Sequence, residues 1–190
     1  MLGTLIGASP DLRTEPVVAW RTWTLAGSSD GSEIRLLPLF GDRHPWPIQG
    51  PARATCTRRG RHLVPSPDCT CGLYATFGHD ALRRSRDPAV LGTVAMWGRV
   101  VEHAFGYRAE FAYPQRLRLV CFLCFWQWGA DRARECEVVA QRRAGRLVPL
   151  CGPDLELCRR YGYPLRRLLG ARDIEQAMLS TYAVDLLRIL

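Results

Sequence analysis

The sequence predicts an α+β fold: a small N-terminal antiparallel β-barrel or curled sheet with a zinc knuckle, then a short treble-clef-like segment and C-terminal helices. Three observations predict it. Up to residue 114, short runs alternate apolar and polar positions and are separated by turn residues, the pattern of an all-β unit. Most of the eight cysteines fall into two groups with ligand-like spacing. Beyond residue 114 the alternation gives way to stretches compatible with helices, ended by stop signals such as Gly162. The 190 residues therefore divide into a flexible lead-in (1–16), a β-rich zinc-knuckle unit (17–114) and a cysteine-containing α/β tail (115–190) with two or three helices.

Each element has a local reason. VVAWRTWTL (Val17–Leu25) is rich in β-branched and aromatic residues and reads as a strand. AGSSDGS supplies turn chemistry, and EIRLLPLF (Glu33–Phe40) is the return strand, with Pro38 placing its end at an edge. GLYATF (Gly72–Phe77) is a short strand, and GHDALRRSRDP a surface segment or single helical turn. GTVAMWGRVVEH and YRAEFAYP, joined by AFG, make a hairpin. Its first arm should show Ala95, Trp97, Arg99, Val101 and His103 on one face. Its second should show Tyr107, Ala109, Phe111 and Tyr113, with Arg108 and Glu110 opposite and Pro114 ending the arm.

In the tail, RLRLVCFLCFWQWG reads as a strand entering a tight cysteine turn. EVVAQRR fits a helix or a strand, and GRLVPLCGPDLELCRRYG reads as strand, knuckle and short helix. LCRRYGYPLRRLL and MLSTYAVDLLRIL echo each other, as two helix-then-turn units would. Asp173 is the expected N-cap of the last helix, with Ile174, Ala177 and Met178 on one face.

Composition narrows the chemistry. All 26 basic residues are arginine; lysine and asparagine are absent. Both missing residues use codons beginning AA, so their joint absence points to a GC-rich genome. Schiff-base and Walker-type lysine chemistry is excluded. The net charge of +8 suits nucleic acid or an acidic protein as partner. The arginines are spread along the chain, with a mild concentration that includes Arg53, Arg58, Arg59, Arg61, Arg83, Arg84 and Arg86. Arg58, Arg59, Arg61, Arg83 and Arg84 are the candidate partner contacts. No basic, apolar leader and no membrane-length apolar run is present. A cytoplasmic location is expected, where cysteines serve as metal ligands more often than as disulfides.

Cys56, His62, Cys69 and Cys71 form a C-x5-H-x6-C-x-C pattern, four ligands of the type zinc takes in a closed site. Gly72 permits the sharp turn a C-x-C knuckle needs. The competing readings are reduced core cysteines beside a surface histidine, or a disulfide, for which Cys69 and Cys71 are too close in sequence. The second set is Cys121 and Cys124 with Cys151, completed by Asp154; Cys158 lies two helical turns from Cys151, too far to share the ion. Cys136 reads as a packed core thiol. Glu102, His103, Arg108 and Glu110 surround the hairpin turn as a possible functional group, with cross-strand ion pairs as the plainer reading. His44 and His79 read as surface residues. No HExxH, GxSxG or glycine-rich phosphate loop is present.

CTCGLYA (Cys69–Ala75), GTVAMWGRVVEH (Gly92–His103) and GYRAEFAYP (Gly106–Pro114) together resemble small, functionally uncharacterised proteins of high-GC Gram-positive and some other bacteria. The resemblance covers about residues 17–120. It implies no activity. The expectation is therefore a non-enzymatic, zinc-stabilised binding module contacting nucleic acid through arginines. The alternatives are an adaptor for an acidic protein and an enzyme built on an open zinc or on the hairpin cluster.

Overall fold

The computed structural model describes residues 11–28, 33–39, 44–57, 62–83, 85 and 87–189. Within them the chain is a mixed α+β fold, a mostly antiparallel ten-stranded sheet with three α-helices. The long strands carry it. β1 (Asp11–Gly27) starts earlier than Val17 and bulges between Arg13 and Val17. β5 (Val90–His103) and β6 (Gly106–Leu119) form the predicted hairpin, and β5 lies between β1 and β6. Pro114 does not end β6. It pairs with Val94 at a register shift between Thr93 and Val94, an irregularity that accommodates a residue without a backbone N–H.

Short strands line the two outer edges of this frame. β2 (Ile34–Pro38) pairs with β1, as the return strand should. β3 (Ala52–Arg53) and β4 (Leu73–Thr76) pair with β6. β4 also reaches β1, through the single pair Trp20–Thr76. The sheet thus curls strongly, but one residue pair does not make a regular barrel.

A bulge breaks the predicted alternation of β5. Trp97 pairs with Phe111 and Val100 with Ala109, so Gly98 and Arg99 oppose Glu110 alone. Gly98 has φ +75°, a conformation glycine tolerates and other residues rarely adopt. The extra residue breaks the single face expected from Ala95 to His103; the main core takes Val94 and Met96 from before the bulge and Val100 from beyond it.

The C-terminal segments join the same sheet. α1 (Phe122–Trp128) follows β6, where a bare cysteine turn was expected. β7 (Val138–Gln141) and β8 (Arg146–Leu150) form a second hairpin, and β8 pairs with β1 at Leu25–Ala26. α2 (Gly152–Arg160) is followed by β9 (Arg167–Gly170), which pairs with β7. α3 (Ala171–Tyr182) is followed by β10 (Asp185–Leu186), parallel to β6. The internal echo is thus two helix-then-strand units. Asp173 sits inside the first turn of α3, whose N-cap is Gly170, so the expected cap lies too far along the helix. Ile174, Met178 and Tyr182 bury one face of α3 against the core of Trp23, Leu25, Leu36, Met96 and Leu117. No helix among the described residues is long and apolar enough to cross a membrane.

Candidate metal centres

All eight cysteines are free thiols, and six of them fall in two four-residue clusters. The first contains Cys56, His62, Cys69 and Cys71, whose ligand atoms lie within 4.8 Å of one another. Cys56 Sγ is 3.8 Å from Cys69 Sγ, and His62 Nε2 is 3.3 Å from Cys71 Sγ. A tetrahedron of metal–sulfur bonds near 2.3 Å has S···S edges of about 3.8 Å. The loop between β3 and β4 reaches this geometry with little apolar content. Ala54 N–H donates to the Glu110 carbonyl (2.8 Å) and fixes its entry. Gly72 turns the exit at φ +127°; a Cβ there would lie 3.0 Å from the Arg108 Cβ.

Arg108 ties the loop down. It lies opposite Tyr74 in the β6–β4 register and is only 8% exposed. Its Nη1 donates to the carbonyls of Cys69, Cys71 (3.2 Å) and Ser66 (3.4 Å). Its guanidinium lies 5.9 Å from the Tyr74 ring centroid. One cation thus collects backbone oxygens on both sides of the C-x-C turn, next to thiolates that a bound metal would require. Burial pushes the Cys71 thiol up.

The second cluster contains Cys121, Cys124, Cys151 and Asp154, again within 4.8 Å. Cys124 and Cys151 are 3.7 Å apart. The three thiols point at one carboxylate oxygen: Asp154 Oδ2 accepts from Cys121 (2.9 Å), Cys124 (3.3 Å) and Cys151 (3.3 Å). Local structure explains the convergence. Cys121 caps α1 and Cys124 is its third helical residue; Cys151 caps α2 and Asp154 is its third. Cap and third position flank the same unpaired N–H groups of a helix start, so two such starts facing each other deliver four side chains to one point. Leu150 and Leu155 pack around them.

The electrostatics follow from burial. It raises the Cys121 thiol and pushes Cys151 up to about 11. Burial also opposes the Asp154 charge, but hydrogen bonds from Cys121, Cys124 and Cys151 outweigh it and hold that carboxyl below its usual range. Cys158 is buried in the same apolar cluster without joining the ligand set. Cys136 bridges this cluster and the main core, its thiol raised by burial and then by Glu175.

The other predicted residues separate. Arg58, Arg59, Arg61 and Arg84 lie outside the described residues. Arg83 is exposed and donates to the carbonyls of Trp126 (2.8 Å) and Gln127 at the end of α1. Glu102, His103 and Glu110 are not among the groups of described residues that could hold a metal ion. Glu110 pairs with Arg53 at 3.6 Å. His103 packs against the Tyr74 ring (5.8 Å) and is held neutral, first by burial and then by the Arg108 charge. Arg108 serves the knuckle.

Sequence reading passed over a third group, His79, Asp80 and Asp131. His79 Nδ1 faces Asp80 (3.5 Å) and Nε2 faces Asp131 (3.4 Å), with the ring edge-on to Trp20. One ligand atom from each of the three lies within 4.8 Å of the others, but both carboxylates are exposed, so the group is set less firmly than the cysteine clusters. Compared with protein-family models, curated proteins and solved structures, the chain matches none of them.

Proposed function

We propose that the protein is a non-enzymatic binding module whose two clusters hold structural zinc, and that its arginines contact nucleic acid. The observation that carries this reading is the ligand count: each cluster brings four protein ligand atoms together. A catalytic zinc keeps a position for water, whereas a structural one is closed by four side chains. Three thiolates with an imidazole or carboxylate suit zinc.

The partner follows from what the first chelate loop carries. Arg58, Arg59 and Arg61 fall in the five-residue interval between Cys56 and His62. Covalent connectivity alone keeps them near a bound ion. Guanidinium forks gathered in one short interval recognise phosphates, which would fit the net charge of +8. Exposed aromatic rings such as Tyr74 and Phe105 offer surfaces on which bases can stack.

Metal analysis with thiol titration tests the first half. Two zinc ions per chain are expected, with Cys136 and Cys158 as the thiols that react while zinc is bound. Binding of a single-stranded oligonucleotide at graded salt tests the second half. Affinity should fall with a log–log slope of about −0.7 per phosphate contacted, and the triple Arg58, Arg59 and Arg61→Gln variant should flatten that slope. No binding at low salt removes nucleic acid and leaves an adaptor for an acidic protein.

A further inference from the structure

A cleft of about 780 Å³ lies between β1, the Pro45–Pro47 segment and the first cysteine loop. That volume is within the range of small-molecule sites, about 300–1,000 Å³. Arg21 stands at its base for a reason written in the β1 alternation. Ala19, Trp23 and Leu25 share one face of the strand, and all three are buried in the main core. Arg21 occupies the inward position between Ala19 and Trp23.

An arginine at such a position needs a counter-charge. Arg21 lies over the Trp46 ring at 5.0 Å, and its Nη1 donates to the Tyr74 carbonyl. Its Nε is buried with no hydrogen-bond partner. Among the described residues no carboxylate pairs with it, and burial alone lowers its pKa to about 10. The residue is half-buried and its Nε is fully enclosed, so a charge-assisted hydrogen bond at that nitrogen goes unmade. A second unpartnered nitrogen lines the same cleft, the buried His103 Nε2. Hydroxyls of Thr55, Thr57, Thr70 and Ser85 add donors, and Pro45, Pro47 and Leu73 supply an apolar wall.

We propose that this cleft binds a small organic oxyanion, a phosphate or carboxylate on an apolar body, with Arg21 as the anchor and the exposed Arg53 on the rim. The anchor is Arg21, not the arginines proposed to meet nucleic acid, and the enclosed volume suits a small molecule, not a polymer. A planar guanidinium meets a phosphate or carboxylate through paired N–H donors, and the free Nε supplies one of them. The hydroxyls satisfy the remaining oxygens.

The test uses the metal-loaded full chain with phenyl phosphate, benzoate and inorganic phosphate as probes. Calorimetry should show saturable one-to-one binding of phenyl phosphate or benzoate, and weaker binding of inorganic phosphate, which lacks the apolar body. The tighter of the two aromatic probes identifies the head group as phosphate or carboxylate. Arg21→Met should weaken binding about ten- to a hundredfold, the worth of charge-assisted hydrogen bonds, while Arg53→Gln changes it only a few-fold. In the unaltered protein the Arg21 Nε–H resonance should shift on titration, a readout that needs no variant to fold. Absence of saturable binding by both aromatic probes overturns the proposal. So does an Arg21 signal that stays fixed, or an Arg21→Met protein that binds as tightly as the original.

Discussion

The two cysteine clusters solve one geometric problem with different materials. The first sits in a loop without regular structure, its cysteines only half-buried, and its backbone is gathered by a single arginine. The second is assembled from two helix starts, its cysteines buried among leucines. The contrast teaches where an ion is a scaffold and where it is an addition. Around Cys121, apolar packing and helix geometry already bring the ligands together. Around Cys69, Arg108 and the proposed ion are the main forces against the entropy of an ordered loop, about 1–2 kcal/mol per residue for its backbone.

The comparison breaks most visibly when metal is removed. Structural zinc contributes on the order of 10 kcal/mol in small domains. Stripping the protein with a chelator should expose the segment from Ala54 to Gly72 to hydrogen exchange while β5 and β6 stay protected. Equal loss at α1 and α2 would show that the second cluster depends on its ion just as heavily.

Next in size is the loss of a ligand. Asp154→Ala should weaken metal binding at the second cluster by more than the ~10–100-fold typical of an outer-shell change. A competing chelator should then extract one ion early and the other as before. Asp154→Cys, which restores a fourth soft ligand, should reverse the effect.

Arg108→Met sharpens the other side. It strips the charged donor from three loop carbonyls and should cost about 3 kcal/mol. The loss should appear as faster metal release from the first cluster, with the second unchanged.

Acidity separates the clusters by a subtler margin. At the second, burial keeps the Cys121 and Cys151 thiols protonated across the neutral range, whereas Asp154 is already ionised. Metal must therefore displace thiol protons but none from Asp154, so affinity should fall as pH falls through neutrality. Calorimetry in buffers of different ionisation enthalpy counts the protons released.

The smallest effect belongs to His103, whose pKa lies below its ordinary 6.5 because of burial and then Arg108. The fold favours its neutral form, so unfolding takes up a proton. The stability this contributes is present above pH 6.5 and is lost as pH falls through the lower folded value. Between about pH 7 and about pH 5, thermal melts of the original protein should drop further than those of His103→Gln.

How much of this was legible in the sequence depended on range. β1, β2 and the β5–β6 hairpin announce themselves because alternation and turn residues are local signals. Both groupings were legible because cysteine spacing is a short-range fact, and Asp154 because its place three residues after Cys151 is fixed by connectivity. The Gly98–Arg99 bulge was hidden: one extra residue leaves no pattern in the sequence and shows only in the pairing with β6. α1 was hidden because seven mostly aromatic residues fit a strand as well as a helix. Arg108 was placed correctly on the face away from Ala109, but that face is covered by a loop from far along the chain. Arg21 was passed over, although a charge where the alternation of β1 demands an apolar side chain was a signal that could have found it.

One hydroxyl group links distant times in the life of the chain. Tyr182 Oη accepts the Leu36 N–H (2.9 Å) and donates to the Trp46 carbonyl (3.2 Å). Trp46, in turn, backs the Arg21 guanidinium. During synthesis the early strands emerge long before this tyrosine does, and until it arrives two buried backbone groups have no lasting mate. The wall behind Arg21 is therefore finished late, so ribosomal products stalled short of α3 should be poorly ordered there and easy prey for proteases.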